Sequence, residues 1–282
     1  MNAWSKILVF FPLWLFFQLI LYVVAYLFYP ELMPAQGTDL ENWYEGNIIV
    51  LLVNQVIALT GTFATVFFVH RFVYNNKPNY LKAIFKPKGL LAGILTGIIA
   101  LFCIIIILSI STGIRVSYNG FSADFYIYLL IFFLVAISEE VLARGAIFST
   151  LFQGTNKYVA LIVSSLIFSF LHIFNTSFNW VAMLNLFIVG ILFCQLYLKR
   201  TNLSIPIGFH FSWNFLQGPV LGFAVSGIPV KGILSFESTS GSGFSFTGFG
   251  LEGSYIATIV IFIMSVYFYL SDTRRKLNTL SR

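Results

Sequence analysis

The chain has 282 residues, of which 59% are hydrophobic and only 9% are charged, and its mean hydropathy is +0.90. Soluble globular proteins carry about 25% charged residues, so this composition excludes a soluble domain and a disordered chain. We therefore expect an integral, multi-pass membrane protein in contact with a lipid bilayer. The formal net charge of +6 is interpreted as a topological signal, and no nucleic-acid partner is predicted.

Apolar stretches of about 20 residues, the length that crosses a bilayer, recur along the chain. Eight are predicted, at residues 7–29, 47–70, 89–111, 125–152, 158–175, 180–198, 204–222 and 254–270. The predicted fold is therefore all-α, a polytopic membrane protein with about eight transmembrane helices. Cys103 and Cys194 both lie inside apolar runs, which argues against a disulfide framework or a metal cluster.

The distribution of basic residues predicts the orientation of the spans. If the spans alternate in direction, one side carries Lys6, the connections around 71–88, 157 and 199–200, and the carboxyl-terminal tail, with thirteen Lys and Arg residues altogether. The other side has two, Arg115 and Lys231, and its first connection carries only acidic charges. Because cytoplasmic connections are enriched in Lys and Arg, both termini are predicted to be cytoplasmic.

Ionisable residues inside the spans are concentrated in the second half of the chain. Glu139, Glu140, Arg144, His172 and His210 all lie in spans four, five and seven. Each such residue costs at least about 2.5–3.5 kcal/mol on insertion and indicates function by default. We therefore divide the chain into an amino-terminal scaffold, residues 1–122, and a catalytic core, residues 123–282, with the chemistry in helices four to seven.

Spacing within span four suggests different tasks for its three charged residues. Glu140 and Arg144 are four residues apart and therefore share one helical face, which predicts an ion pair. Glu139 is rotated from Glu140 by about 100°, so Arg144 cannot easily serve both carboxylates. The simplest division makes Glu140–Arg144 a structural pair and leaves Glu139 free to act on something else.

Spans five and seven offer polar groups at helical spacing as well. Phe168 and His172 are four residues apart, as are His210 and Asn214, so each pair is predicted to lie on one helical face. A carboxylate beside a histidine can bind and deprotonate water, and a His–Asn pair can donate hydrogen bonds to an oxyanion. Each residue alone has a structural explanation as a contact between helices, but their joint occurrence favours a catalytic site.

Taken in order, these residues form the patterns EExxxR (139–144), FxxxH (168–172) and HxxxN (210–214). They resemble the three signature motifs of the CPBP family, which comprises the CAAX proteases and bacteriocin-processing enzymes and is also called the ABI family of intramembrane glutamic endopeptidases. The resemblance covers roughly residues 125–270. It includes the stretch NLSIPIGFHFSWNF and Gly250–Ser254, which also look like family members.

The resemblance implies an intramembrane endopeptidase that cleaves a peptide bond in or near the bilayer. In the family's mechanism Glu139 activates water with His172 beside it, and His210 and Asn214 line the oxyanion site. Glu140, Arg144 and Phe168 support these groups, and no cofactor or metal is expected. The implied substrate is a membrane protein or peptide, with or without a lipid, and the implied location is the cell membrane of a prokaryote.

Three other functions are compatible with the same residues. A zinc protease could use His172, His210 and a glutamate, although HExxH is absent. A proton-coupled transporter could use the carboxylates and histidines as a relay, although no internal repeat of transporter type is evident. A non-catalytic scaffold or immunity protein could bind a partner in the membrane. A Glu139→Gln change should abolish a protease and could leave a scaffold working.

Overall fold

A computed structural model of the chain describes residues 1–34, 38, 47–75, 77–78, 81, 84–200, 202–238 and 246–280. Within these ranges each predicted span contains one principal helix. The bounds are α1 Ala3–Phe28, α2 Ile48–Phe68, α3 Pro87–Thr112, α4 Asp124–Glu140, α5 Lys157–Phe170, α6 Trp180–Arg200, α7 Ser204–Phe215 and α8 Tyr255–Leu280. Two short 3-10 turns, Pro30–Leu32 and Leu251–Gly253, lie between spans.

Three of the helices continue beyond these bounds with π-helical geometry. The continuations are Val69–Val73 after α2, Val141–Phe148 after α4 and Leu216–Val220 after α7, and α4 resumes as an α-helix over Ser149–Gly154. π-helical insertions occur frequently at functional sites. The longest of the three begins directly after the two glutamates of span four, which changes the direction of the side chains that follow.

Five described helical stretches are long and apolar enough to cross a bilayer. They are Ala3–Phe28, Ile48–Val73, Pro87–Ser111, Asp124–Gly154 and Trp180–Lys199, while Lys157–Phe170 and Tyr255–Ser271 are shorter apolar helices. The predicted all-α, polytopic membrane fold is confirmed. Span five is shorter than expected, because α5 ends at Phe170 and its 14 residues rise about 21 Å.

The connections between helices separate into two groups, on opposite sides of the bundle. On one side, β1 (Ile114–Tyr118) pairs antiparallel with β2 (Leu234–Ser238), a small sheet that the sequence did not predict. The side chain of Asn175, from the α5–α6 connection, donates to the carbonyl of Ser226 at 2.9 Å on the same side. These contacts join the connections after α3, α5 and α7, as eight alternating spans require.

Contacts on the opposite side join the amino terminus to the remaining connections. The hydroxyl of Tyr74 donates to the carbonyl of Lys6 at 2.7 Å, and the backbone N–H of Lys86 donates to Ser204 Oγ at 2.8 Å. Which side faces the cytoplasm stays a prediction. Residues 39–46 of the acidic first connection, together with Lys82 and Arg282, enter that prediction and lie outside the described residues.

Helices α3 and α7 approach each other backbone to backbone. Gly89, Gly93 and Gly97 repeat every fourth residue along α3, and they face a matching row of small residues on α7, namely Ser204, Gly208 and Ser212. A Cβ atom on Gly93 would overlap the carbonyl oxygen of Ile205, and one on Gly208 would overlap the carbonyl oxygen of Leu90. This contact fixes the position of α7, which carries His210 and Asn214.

The amino-terminal helices pack on the other side of α4. Three hydrogen bonds between described residues join α1 to α2. Trp14 Nε1 donates to Thr62 Oγ1 and Gln18 Nε2 donates to the carbonyl of Ala58, both at 3.1 Å, and the hydroxyl of Tyr26 donates to Asn54 Oδ1 at 3.2 Å. Helix α2 in turn packs against α4. The glutamates of α4 therefore lie between a tightly packed α3–α7 pair and a more polar α1–α2 pair.

Candidate active site

The carboxylate of Glu140 is fully buried and holds two partners at one oxygen. Arg144 donates to Glu140 Oε1 at 2.8 Å, so the ion pair expected from the spacing is present. His210 Nδ1 lies 3.0 Å from the same oxygen. A carboxylate oxygen only accepts hydrogen bonds when ionised, so Nδ1 of His210 is the donor. The sequence predicted the partnership with Arg144 and missed the one with His210.

Arg144 is only 1% exposed, and its guanidinium contacts its own helix and two neighbouring helices. Besides Glu140, it donates to the carbonyl of Gly190 on α6 at 3.3 Å. Its central carbon lies 4.2 Å from the ring centroid of Phe168 and 4.8 Å from that of Phe193, which is cation–π geometry. Arg144 therefore joins α4 to α5 and α6, and its task in supporting a catalytic site stays a prediction.

His172 lies in the turn just after α5, because the helix ends at Phe170. Its Nδ1 is 2.9 Å from the carbonyl oxygen of Phe168, and a carbonyl can only accept, so Nδ1 donates. The neutral ring then has its lone pair on Nε2. The rings of Phe168 and His172 also contact each other, with centroids 4.9 Å apart, so Phe168 orients the histidine by both its backbone and its side chain.

Both histidines direct Nε2 toward one oxygen of Glu139. The distance from Glu139 Oε2 is 3.8 Å to His172 Nε2 and 3.8 Å to His210 Nε2. These distances exceed a direct hydrogen bond and are short enough for one water molecule to bridge. The side chain of Glu139 is 32% exposed, whereas Oε2 itself is buried and has no hydrogen-bond partner within the described part of the chain.

Asn214 lies one turn after His210 on α7 and is 4% exposed. It lines a narrow cavity of about 30 Å³ together with His172 and His210. That volume holds one or two water molecules, since a single water needs about 10–15 Å³. Within the described residues the side chain of Asn214 makes no hydrogen bond, so its carboxamide is available to a group that enters the cavity.

Glu252 is a buried carboxylate at this cavity that the sequence did not single out as a site residue. Trp213 Nε1 donates to its Oε1 at 3.1 Å, and Gln217 Nε2 donates to its Oε2. Asn185 Nδ2 donates to the Glu252 carbonyl at 2.7 Å. Burial raises the pKa of the Glu252 carboxyl. The sequence held one signal for it: Glu252 lies within Gly250–Ser254, the stretch that resembles family members, but no task was assigned to it.

A second, larger cavity of about 270 Å³ reaches Glu139 from the side of α1 and α2. Phe168 and His172 line both cavities, whereas Glu139 lines only the larger one and Asn214 only the narrow one. The convergence of Glu139 with the two histidines therefore lies at the junction of two cavities. Among the described residues, no group of three His, Cys, Asp or Glu side chains is arranged to hold a metal ion.

Residues 121–216 match the model of the family described as Type II CAAX prenyl endopeptidase Rce1-like. The matched stretch is about a third of the chain and contains the EExxxR, FxxxH and HxxxN patterns. This match is consistent with the CAAX protease and CPBP family. Searches of curated proteins and of solved structures found no match.

The family match confirms the resemblance inferred from the motifs and indicates a hydrolase of the protease class. Together with the long apolar helices, it supports an integral membrane protease. The match ends at residue 216, so the further resemblance of residues 217–270, with Gly250–Ser254, stays a prediction.

Proposed function

We propose that the chain is an intramembrane glutamic-type endopeptidase that hydrolyses a peptide bond with water activated by Glu139. The observation that carries this proposal is the convergence of the two histidine Nε2 atoms on one oxygen of Glu139, 3.8 Å from each. Glu139 and His172 also line the larger cavity together, so a water molecule there can contact both the carboxylate and the imidazole. Water held in this way is the nucleophile needed for hydrolysis without a covalent intermediate.

In the proposed reaction Glu139 removes a proton from the water while the water oxygen forms a bond to the scissile carbonyl carbon. The carbonyl π electrons move to the oxygen, which becomes the oxyanion of a tetrahedral intermediate. The intermediate collapses with cleavage of the C–N bond, and the proton held by Glu139 passes to the leaving nitrogen. One carboxylate thus serves as base and then as acid.

The oxyanion is stabilised by donors that line the narrow cavity. Asn214 offers its amide N–H groups there. His210 donates through Nε2 when its ring carries both protons, because Nδ1 remains bonded to Glu140. One such donor is worth about 3 kcal/mol in other hydrolases. His172, oriented by the Phe168 carbonyl, holds the water beside Glu139.

We propose a membrane protein or membrane-tethered peptide as the substrate, because the site lies among helices that cross the bilayer. We also propose that both termini are cytoplasmic, which the excess of basic residues on their side of the bundle supports. Labelling of single engineered cysteines near Lys6 and near Arg115 with an impermeant reagent in intact cells tests the orientation.

Cleavage of a library of membrane-tethered peptides by the protein in detergent or liposomes tests the proposed chemistry. We expect Glu139→Gln to lower the rate about 10²–10⁴-fold, because it removes the general base. The matched control is Glu31→Gln, the same change at an exposed carboxylate outside the site, which should leave the rate unchanged. Cleavage that survives in Glu139→Gln would overturn the proposed role, and cleavage lost to a chelator would favour a zinc protease.

A further inference from the structure

The face that α2 turns toward the larger cavity is polar for a transmembrane helix. Gln55, Ala58 and Thr62 line the cavity of about 270 Å³ that also contains Glu139 and His172. Their spacing of three and four residues places them on one face of α2. Polar side chains inside a span usually bond to another helix or mark a substrate path.

Thr62 and Gln55 differ in this respect. Thr62 accepts a hydrogen bond from Trp14 Nε1 at 3.1 Å, so it helps to join α1 and α2. Gln55 is half-buried, and within the described residues its side chain makes no hydrogen bond. A contact between helices therefore explains Thr62 and does not explain Gln55, whose carboxamide lines the cavity with both donor and acceptor groups available.

The two cavities differ in what they can hold. The narrow one, of about 30 Å³ beside Asn214, accommodates water or a carbonyl oxygen but not a length of chain. The larger one approaches the lower end of the range for ligand pockets, about 300 Å³, and so admits a short stretch of peptide. A helix, about 10–12 Å across with its side chains, is too wide for it.

We propose that the larger cavity is a subsite for an extended peptide segment next to the scissile bond, and that Gln55 pairs with a backbone amide of that segment. This inference rests on the proposed protease function and names the form of substrate that the site takes. An extended segment away from water leaves its N–H and C=O groups unpaired, which is costly in a membrane. A carboxamide in the cavity wall can accept a hydrogen bond from one peptide N–H and donate one to a peptide C=O. The amino-terminal helices then contribute to substrate binding, which the predicted division at residue 122 does not include.

The test measures peptide binding rather than peptide cleavage. It uses protein that carries Glu139→Gln, in which the slowed cleavage leaves the peptide intact during the titration. Fluorescent membrane-tethered peptides from the cleavage library are titrated against this protein in detergent. Adding Gln55→Leu should weaken binding roughly 2- to 10-fold, the effect of one lost hydrogen bond. The matched control is Gln195→Leu on α6, the same change at a half-buried glutamine that bonds Ser265 and lines neither cavity.

Peptides with one backbone amide replaced by an ester locate the contact. An ester lacks the N–H that Gln55 would accept, so one ester position should weaken binding to the Glu139→Gln protein. The same ester should have no effect once Gln55→Leu is added. Equal effects of Gln55→Leu and Gln195→Leu, ester penalties that persist in Gln55→Leu, or failure of the folded protein to bind any peptide would overturn the subsite. Peptide that is bound but never cleaved by the wild type would instead overturn the proposed protease and leave the subsite standing.

Discussion

The two flanks of the glutamate helix α4 are built in opposite ways. On one flank, α3 and α7 meet through glycines and serines so closely that a single Cβ on Gly93 would overlap backbone. On the other flank, α1 and α2 meet through long side chains, and a cavity of about 270 Å³ remains between them and α4. The packed flank carries His210 and Asn214, and the open flank leads to Glu139.

This difference suggests how a hydrolytic site can be both rigid and accessible inside a membrane. Oxyanion donors stabilise charge best when they are held in place before the reaction, and the α3–α7 contact fixes the helix that carries the proposed donors, His210 and Asn214. A substrate segment needs space and hydrogen-bond partners, and the α1–α2 flank offers both. We expect substitutions on the packed flank to cost stability and substitutions on the open flank to cost little.

The largest effect is expected from Glu140→Gln, which removes the charge that anchors the packed flank to α4. Arg144 would remain buried without its ionic partner, and the Nδ1 proton of His210 would face an uncharged amide oxygen, a weaker acceptor than the carboxylate. Breaking a buried ion pair costs about 3–5 kcal/mol. We therefore expect a large drop in the midpoint of thermal unfolding, measured in detergent by intrinsic fluorescence.

Glu237→Gln is the matched control for that change. Glu237 is exposed on β2 opposite Arg115, and a surface pair contributes at most about 1 kcal/mol. Equal losses of stability in the two variants would show that the buried pair does not anchor the site.

Gly93→Ala should have the next largest effect, about 1–3 kcal/mol of overpacking. Its Cβ would meet the carbonyl oxygen of Ile205 and the Cα of Gly208, neither of which can rotate away. The helices must therefore separate, and we expect a lower unfolding midpoint together with slower peptide cleavage because α7 shifts. Ala92→Val, an enlargement at the exposed neighbour on α3, is the control and should change neither measurement.

The residues of the candidate site could be predicted from the sequence because charge is rare in this chain. Glu140 and Arg144 form the ion pair that their spacing indicates, although the helix changes to π geometry at Val141, between the two residues. The membrane fold could also be predicted, because long apolar runs with few charged residues indicate membrane spans. The row of glycines at 89, 93 and 97 was not identified from the sequence as a helix contact, because its meaning depends on the matching row on α7.

What could not be predicted depends on distances between helices. Spacing along α7 placed His210 beside Asn214, but its bond to Glu140 arises from packing between residues 70 positions apart. Glu252 and Gln55 were missed for the same reason, because each reaches the cavities only through tertiary contact. The end of α5 at Phe170, before His172, was also missed, because residues 171–174 are mostly apolar and the sequence there gives no signal that a helix ends.

The smallest effect is expected from Gly61→Ala, which makes on the open flank the same change as Gly93→Ala on the packed one. The three atoms nearest to a Cβ on Gly61 all belong to the end of the Gln18 side chain, with Nε2 at 2.8 Å, and that side chain can shift. The shift weakens its hydrogen bond to the Ala58 carbonyl, which costs about 0.5–1.5 kcal/mol, whereas alanine favours a helix over glycine by about 0.5–1 kcal/mol. These two effects oppose each other, so we expect an unfolding midpoint close to that of the wild type, with peptide cleavage retained. If Gly61→Ala destabilised the protein as much as Gly93→Ala, the α1–α2 flank would be as closely packed as α3–α7. The cavity would then have no freedom to admit a peptide.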